Sequence, residues 1–295
     1  MASINTIDIE KARGSAGLDF LINKVDKLVT LPEVYYRLEA AIEDPASSSD
    51  DFSRLLSVDP DLCARLLRMA NSAFYSFPAR IETIDRAVST IGLRQITELV
   101  LVTSVIEIFN NVPIEQVDMR SFWEHSVSVG VLSRAIAQFA GLPQSERYYI
   151  PGLLHDIGRL ALYLKLPGMM GDLIQQVKLQ EQSLTVLEME QLGYSHANVG
   201  GYLLEHWKVP QSIYEPVNFH HEPLFAHEFT PISCAVNIAD IWVNHKKRGS
   251  SGEAYEISMN TDALQLLGLQ IYDLEEIWAL AIDEIADVIR QFLNH

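Results

Sequence analysis

A histidine and an aspartate, His155 and Asp156, stand side by side in the otherwise apolar run 153–159, directly after Pro151 and Gly152. Burying an ionisable pair in apolar surroundings costs several kcal/mol unless a partner compensates the charge, and a metal ion is one such partner. Elsewhere the chain carries further candidate ligands: His125, His196, His220, His221 and Asp240. Imidazole and carboxylate ligands together suit Fe, Mn or Zn rather than Ca or a thiolate-bound metal.

The order of these residues, the segment HDIGR at 155–159 and the upstream stretch VDPDLCARLLRMANSAFY at 58–75 resemble the HDOD family. That family is a branch of the HD superfamily of metal-dependent phosphohydrolases. The resemblance covers roughly residues 20–245, most of the chain. A His-Asp dipeptide alone is a weak indication because such dipeptides are common, whereas the ordered set together with segment 71–75 is specific for the family.

The resemblance implies how the ligands are shared. In the HD superfamily, the aspartate at this position bridges two ions with its two oxygens, so Asp156 is expected to be shared. The other ligands then form two groups: His125, His155 and Asp240 around one ion, and His196, His220 and His221 around the other. The expected cofactor is a divalent metal in a centre of one or two ions, with Fe or Mn as first candidates and Zn or Ni as alternatives.

Two residues are candidates for catalytic roles. Asp156 would hold both ions, and two ions about 3.5–4 Å apart bind a phosphate and lower the pKa of a bridging water, so no protein nucleophile is required. Arg159 follows Asp156 by three residues and lies on nearly the same helix face, where its guanidinium could clamp phosphate oxygens. Alternatively, Arg159 pairs with Asp156 or Glu146 at the surface.

The histidines and Asp240 also have a plainer interpretation. A single histidine on an apolar face is more often a hydrogen-bonded core residue than a ligand, and Asp240 could form an ion pair inside its helix. The coincidence of five histidines with the family positions favours the metal site. The remaining histidines are predicted to bind no metal: His206, His227, His245 and His295.

The sequence departs from relatives that hydrolyse cyclic di-GMP. Those relatives follow their His-His-Glu with Gly-Tyr-Pro, whereas the segment HHEPLFA at 220–226 has no such triplet. Ser121 stands one turn before His125, where some relatives have a glutamate ligand for an extra ion, and Arg159 replaces their lysine. These differences argue against hydrolysis of a cyclic dinucleotide.

Two functions therefore stay open. The resemblance favours a regulatory output module of bacterial signal transduction, in which bound metal holds helices together and contact with a protein partner is the output. The alternative is a metal-dependent phosphohydrolase or phosphodiesterase that acts on a nucleotide or phosphoester through metal-activated water. The partners expected are a signalling protein, with a nucleotide or phosphoester ligand and a homodimer as further candidates.

Charge and composition exclude several other classes. Lys and Arg number 22 against 39 Asp and Glu, for a net charge of −17, so binding to nucleic acid or to an anionic membrane is not expected. Only two cysteines, Cys63 and Cys234, are present, which indicates neither a disulfide framework nor a thiolate metal site. No signal peptide is visible and the apolar run 96–109 is too short to span a bilayer, so a cytoplasmic location is expected.

Helical periodicity predicts the elements that must position the ligands. His125 falls on a helix over 121–139, and Pro151 opens the helix of His155 and Asp156, where Gly158 offers a close approach to another helix. The other ligands are assigned as follows: His196 to the first turn of a helix after Ser195, His220 and His221 to the end of a helix over 211–219, and Asp240 to a helix over 232–243. A single polar-faced helix is predicted over 172–191.

No alternating strand pattern is present, so the chain is predicted to be all-α, with a helical bundle of HD type and an N-terminal helical HDOD lobe. The predicted division is a flexible N-terminus at 1–18, the HDOD lobe at 19–112, which is a packing and interaction module, and the HD-type lobe at 113–295. The wide apolar stripe over 274–292 forms a C-terminal amphipathic helix that either joins the core, the favoured outcome, or meets a partner.

Overall fold

The computed structural model describes residues 12–26, 29–71, 80–110, 114–255 and 257–293. Within these ranges the chain forms helices and no β-strand, which confirms the predicted all-α class. None of the described helices combines the length and apolarity that crossing a bilayer requires. The α-helices follow one another in this order: α1 Gly14–Asp26, α2 Glu33–Glu43, α3 Ser49–Leu56, α4 Pro60–Ala70, α5 Ile84–Ile91, α6 Leu93–Asn110, α7 Met119–Phe139, α8 Tyr149–Leu154, α9 Ile157–Lys165, α10 Pro167–Gln180, α11 Leu184–Leu192, α12 His196–His206, α13 Gln211–Phe219, α14 Thr230–His245, α15 Thr261–Leu266 and α16 Asp273–Leu293.

The chain divides into two compact units, whose composition differs in part from the predicted lobes. The smaller unit comprises Thr30–Asn111 and Ala286–His295, and the larger comprises Met1–Val29 and Val112–Ile285. Helix α1 begins at Gly14, inside the segment predicted to be flexible, and packs with α9 and α12 of the larger unit. Its inward stripe, which stabilises the helix, consists of Leu18, Leu21, Ile22 and Val25, all buried.

The smaller unit is built from short helices, of which α3, α4 and α5 begin with side-chain caps, together with the longer α6. Asp59 accepts a hydrogen bond from the Leu62 amide at 2.9 Å and Pro60 occupies the first turn, so α4 begins with a side-chain cap. The side chain of Asn71 exchanges two hydrogen bonds with the Ile81 backbone, at 2.7 Å each. Asn71 therefore links the end of α4 to the segment that leads into α5, while residues 72–75 of the family motif lie outside the described residues.

In the larger unit, glycines allow helices to touch backbone to backbone. A Cβ atom on Gly158 would lie 2.0 Å from the His196 carbonyl oxygen and 2.5 Å from the Gly200 nitrogen. This contact between α9 and α12 confirms the close approach expected at Gly158. A Cβ on Gly152 would likewise lie 2.9 Å from the Cα atom of Gly130, where α8 meets α7. Both crossings bring candidate metal ligands together.

The single helix predicted over 172–191 is wrong. The chain instead forms α10, a break at residues 181–183, and α11. Glu181 adopts a left-handed conformation with φ of 53°, and the Ser183 hydroxyl accepts a hydrogen bond from the Val186 amide at 3.4 Å. Ser183 is thus an N-cap that starts a new helix, a local effect that the apolar periodicity does not reveal.

Most of the C-terminal apolar stripe is buried, in agreement with the favoured prediction that it joins the core. The buried members are Leu274, Ile277, Ala281, Ile285, Val288 and Ile289. Leu280, on another face of α16, is 70% exposed. The buried members belong to the core, while Trp278 and Ile282 of the same stripe are partly exposed and the Phe292 side chain lies outside the described residues.

Candidate metal centre

All seven predicted ligands converge in the larger unit. Their ligand atoms form three overlapping groups, and within each group these atoms lie no more than 4.8 Å apart. The groups are His125 with His155 and Asp240, His155 with Asp156 and His220, and His196 with His220 and His221. The first and third groups are the two sets expected from the sequence, and the second group joins them.

Helices and their ends deliver most of the ligands as predicted. Helix α7 carries His125, α12 begins with His196, and α14 carries Asp240. His220 and His221 directly follow the last residue of α13, where the chain leaves the helix and both rings turn toward the same point. Their ring centroids are 4.0 Å apart.

His155 and Asp156 occupy a break between two helices, and not the interior of one helix as predicted. Helix α8 ends at Leu154, and Asp156 has φ of −97° and ψ of 8° before α9 begins. The His155 Nδ1 atom lies 2.7 Å from the Gly152 carbonyl oxygen, which the Asp156 amide would bind in a continuing helix. The break lets two adjacent residues face one point.

The two oxygens of Asp156 face different groups of ligands. Its Oδ2 atom lies 3.2 Å from His155 Nε2 and 3.8 Å from His125 Nε2, whereas its Oδ1 atom lies 3.0 Å from His196 Nε2. The Oδ1 atom of Asp240 lies 3.1 Å from His125 Nε2 and 3.6 Å from His155 Nε2. Asp156 is therefore oriented as a bridging ligand and Asp240 as a ligand of one group.

The outer nitrogens of three histidines are anchored, which directs the inner nitrogens to the centre. The Nδ1 atoms of His155 and His220 each lie 2.7 Å from a backbone carbonyl oxygen, and that of His196 lies 2.6 Å from the Glu188 carboxylate. The Nε2 atoms of His155 and His220 are buried without a hydrogen-bond partner. A donating Nδ1 with an inward lone pair on Nε2 is the arrangement of metal-ligating histidines, so these residues fit a metal ion.

Electrostatics favour a positive charge at the centre. Burial alone would raise the pKa of Asp156, but the charges of Arg159 and His155 lower it well below its usual range. Burial would lower the pKa of His155, but Asp156 and Asp240 raise it to about 10. Burial and the charge of His155 lower the pKa of His220 to about 3. Without a metal ion, the positive charge beside the carboxylates comes from protonated histidines. A bound divalent ion would supply that positive charge instead.

Arg159 is buried, with 2% of its surface exposed, and its Nε atom lies 3.1 Å from Asp156 Oδ1. Pairing with Glu146 at the surface, one of the alternatives, is wrong, because Glu146 pairs with Arg134 at 3.3 Å. Pairing with Asp156 is present, but in the interior. The guanidinium Nη1 atom is buried without a hydrogen-bond partner.

The edge of the centre at His221 is the part that reaches the surface. His125, His155, His196 and His220 have no exposed surface, whereas His221 is partly exposed. His221 lines a cleft of about 420 Å³ together with Thr185, whose hydroxyl lies 3.1 Å from His221 Nε2.

A strap, residues 249–255 between α14 and α15, lies against the helices that carry the ligands. A Cβ atom on Gly249 would lie 2.4 Å from the His125 backbone nitrogen, and the Ser250 amide donates to the Ser121 carbonyl oxygen at 3.1 Å. The Tyr163 hydroxyl donates to the Ser251 carbonyl oxygen at 2.6 Å. The strap therefore joins α7 to α9 beside the centre.

Sequence reasoning missed two buried carboxylates that position ligands. Glu188 contacts His196, and Glu215 accepts hydrogen bonds from the backbone amides of residues 227, 228 and 229, at 2.7, 2.8 and 3.1 Å. Burial would raise the pKa of Glu215, but these bonds and one from Gln211 lower it. Glu215 thus anchors the loop between α13, which precedes His220, and α14. Neither residue differs from exposed glutamates in its sequence context.

The histidines outside the pattern do not join the centre. Among the described residues, none of His206, His227 and His245 belongs to a group of three potential ligands. His206 instead lies 3.4 Å from Asp26, and the His245 ring packs against Trp242. His295 lies outside the described residues.

Proteins with similar sequences and with similar structures were found. An uncharacterized protein of Treponema pallidum (strain Nichols) is 26% identical over 228 residues, 76% of this chain, which spans only 43% of that relative's length. The fold is similar to an HDOD domain protein of unknown function from Geobacter sulfurreducens, at 24% identity and a TM-score of 0.75 over 94% of this chain and 97% of that one. It is also similar to a candidate phosphohydrolase from Shewanella amazonensis SB2B, at 26% identity and a TM-score of 0.69 over 92% and 97% of the two chains.

The sequence profile of the HDOD domain matches residues 28–223, about two thirds of the chain. That range includes the capped helix α4, the His155-Asp156 break and the histidines that follow α13. The chain belongs to the HDOD domain family.

Proposed function

We propose that this chain is a regulatory output module of bacterial signalling whose larger unit holds two divalent metal ions. The observation that carries the proposal is the convergence of seven potential ligands from α7, the α8–α9 break, α12, the end of α13 and α14. Ions bound there join five segments that are distant in sequence, so metal occupancy stabilises the arrangement that a protein partner recognises.

The buried charges support two ions. Four buried carboxylates lie around the Arg159 guanidinium and the candidate ligands: Asp156, Glu188 and Glu253, whose charges act on Arg159, and Asp240. With neutral imidazoles these groups leave three negative charges, more than one divalent ion neutralises. A second ion would leave a small net positive charge, enough to attract an anion. Fe or Mn suits this histidine and carboxylate set, with Zn or Ni as alternatives.

Metal content tests the proposal. Protein purified without chelator is expected to contain two equivalents of a divalent metal by elemental analysis, and chelation is expected to lower the free energy of unfolding. The expected loss is about 2.7 kcal/mol for each ion present at 100 times its dissociation constant. Urea unfolding with and without chelator measures it, and His206→Ala, outside the centre, serves as the control. Absence of bound metal together with unchanged stability contradicts the proposal.

A second function, hydrolysis of a phosphoester, is favoured by the bridging orientation of Asp156 and by the partly exposed His221. With Asp156 shared, each ion would have four protein ligands, which leaves coordination positions for water and substrate. When bound, two ions would supply a hydroxide near neutral pH. His221 borders the cleft, so a substrate whose phosphoryl group binds near His221 would have its remaining part in that cleft.

The residues that line the cleft favour a substrate that carries no negative charge outside its phosphoryl group. Thr185, Ser195 and Asn198 offer neutral hydrogen-bonding groups. The described lining also contains Glu190 and Glu222 but no lysine or arginine. We therefore expect a nucleotide or phosphoester with one phosphoryl group rather than a polyphosphate, and, from the net charge of −17, no nucleic-acid partner.

Turnover distinguishes the two functions. If the chain is a phosphohydrolase, bis-(4-nitrophenyl) phosphate is hydrolysed when Mn²⁺ or Fe²⁺ is added, and His155→Ala loses at least about 100-fold in rate because a ligand is removed. His206→Ala should keep the full rate. Two bound ions without turnover favour the regulatory module, whereas metal-dependent turnover lost in His155→Ala favours the enzyme.

A further inference from the structure

Glu188 is a fully buried carboxylate of α11, and among the described histidine ligands it hydrogen-bonds His196. Its Oε2 atom accepts a hydrogen bond from the His196 backbone amide at 2.8 Å and lies 2.6 Å from His196 Nδ1. One oxygen therefore fixes both the start of α12 and the orientation of the His196 ring. The opposite nitrogen of that ring, Nε2, lies 3.0 Å from Asp156 Oδ1 and 2.9 Å from His221 Nε2.

The other anchored histidines have a different partner. The Nδ1 atoms of His155 and His220 lie against the neutral carbonyl oxygens of Gly152 and Val217. A carboxylate that accepts the Nδ1 proton makes an imidazole a stronger electron donor at Nε2 than a neutral carbonyl does. Among these three histidines, only His196 has this charged support, so the two ligand groups are chemically unequal.

We infer that Glu188 is a positioning residue that sets the metal affinity of the group His196, His220 and His221, and that it has little effect on the group His125, His155 and Asp240. The inference rests on the proposed two-ion centre. The ion held by His196, His220 and His221 would then have an affinity that depends on the charge of Glu188, which is not itself a ligand. The ion held by His125, His155 and Asp240 would have no such dependence.

The variant Glu188→Gln separates charge from geometry. The amide oxygen of glutamine still accepts hydrogen bonds from the His196 amide and Nδ1, so the start of α12 is retained while the negative charge is lost. We expect one of two Mn²⁺ sites to weaken by about 10–100-fold and the other to keep its affinity. Isothermal titration of the metal-free full chain measures both sites.

Two further variants make the result specific. Glu205→Gln, an exposed glutamate on α12, should leave both sites unchanged. Asp240→Asn should weaken the site that Glu188→Gln spares, so the double variant weakens both. If Glu188→Gln weakens both sites equally, or neither, the inference is overturned while the two-ion proposal stands. If the wild-type chain binds no divalent ion, the proposed function fails first.

A measurement on the wild-type chain covers the case in which Glu188→Gln does not fold. In the Zn²⁺-loaded protein with ¹⁵N-labelled histidine, the Nδ1 resonance of His196 should be displaced toward imidazolate values relative to those of His155 and His220. The cause is the proton shared with a carboxylate instead of a carbonyl oxygen. Equal Nδ1 shifts for the three rings would overturn the inference.

Discussion

Replacing Asp156 by asparagine is expected to abolish the binding of both divalent ions. Asp156 is the side chain whose Oδ2 atom faces His155 and His125 while its Oδ1 atom faces His196. An amide nitrogen cannot replace the second carboxylate oxygen, so one group loses a ligand, the other keeps only a neutral amide oxygen, and the negative charge between the ions disappears. Elemental analysis is expected to fall from two equivalents of metal to none at concentrations that saturate the wild-type chain.

The same variant leaves the buried Arg159 guanidinium without its carboxylate partner, which costs about 3–5 kcal/mol of stability. A second change therefore separates folding from metal binding. The double variant Asp156→Asn with Arg159→Met removes the unpaired charge, and it should recover most of the lost stability without recovering metal. Asp240→Asn, which alters one group alone, should retain one ion. Retention of both ions by Asp156→Asn would contradict the bridging role.

Gly158→Ala is expected to destabilise the larger unit by about 3 kcal/mol or more, the upper range for overpacking. The added Cβ would lie 2.0 Å from the His196 carbonyl oxygen and 2.5 Å from the Gly200 nitrogen, both of them backbone atoms. No side-chain rotation can relieve such a contact, so α9 must move away from α12. That movement separates Asp156 from His196. Urea unfolding and metal titration of the same variant measure the two effects.

Gly168→Ala is the matched control for this substitution. Gly168 also lies in a helix, α10, but a Cβ atom there would meet nothing within 4 Å. Alanine in place of glycine inside a helix is worth about 0.5–1 kcal/mol, so this variant should be slightly more stable and should bind metal normally. Wild-type stability in Gly158→Ala would show that α9 and α12 are not held by backbone contact.

The convergence of the candidate ligands could be predicted from the sequence because their residue types and order resemble those of the HDOD family. His220 and His221 were placed at the end of a helix over 211–219, and α13 has those bounds. The helix break at Asp156 could not be predicted in this way. It depends on the hydrogen bond between the His155 side chain and the Gly152 carbonyl oxygen, which takes the place of a backbone hydrogen bond of the helix. Apolar periodicity does not reveal such a local side-chain contact.

The buried carboxylate that supports His196 could not be predicted from the sequence for a different reason. Glu188 and Glu190 are two residues apart in the same apolar and acidic stretch, yet Glu188 is buried against His196 and Glu190 is exposed. Only the orientation of α11 relative to α12 decides which of them is buried. The break at Ser183 sets where α11 begins, and the predicted single helix over 172–191 concealed it.

The position of Asp240 bears on where a truncated version of this protein can end. The family profile stops at residue 223, whereas Asp240, which completes one ligand group, lies on α14, and the strap against His125 extends to residue 255. A fragment cut at the profile boundary would keep six of the seven candidate ligands and lose the second acidic one. If the proposed centre binds metal, the smallest fragment that retains it is therefore expected to be longer than the segment matched by the family profile.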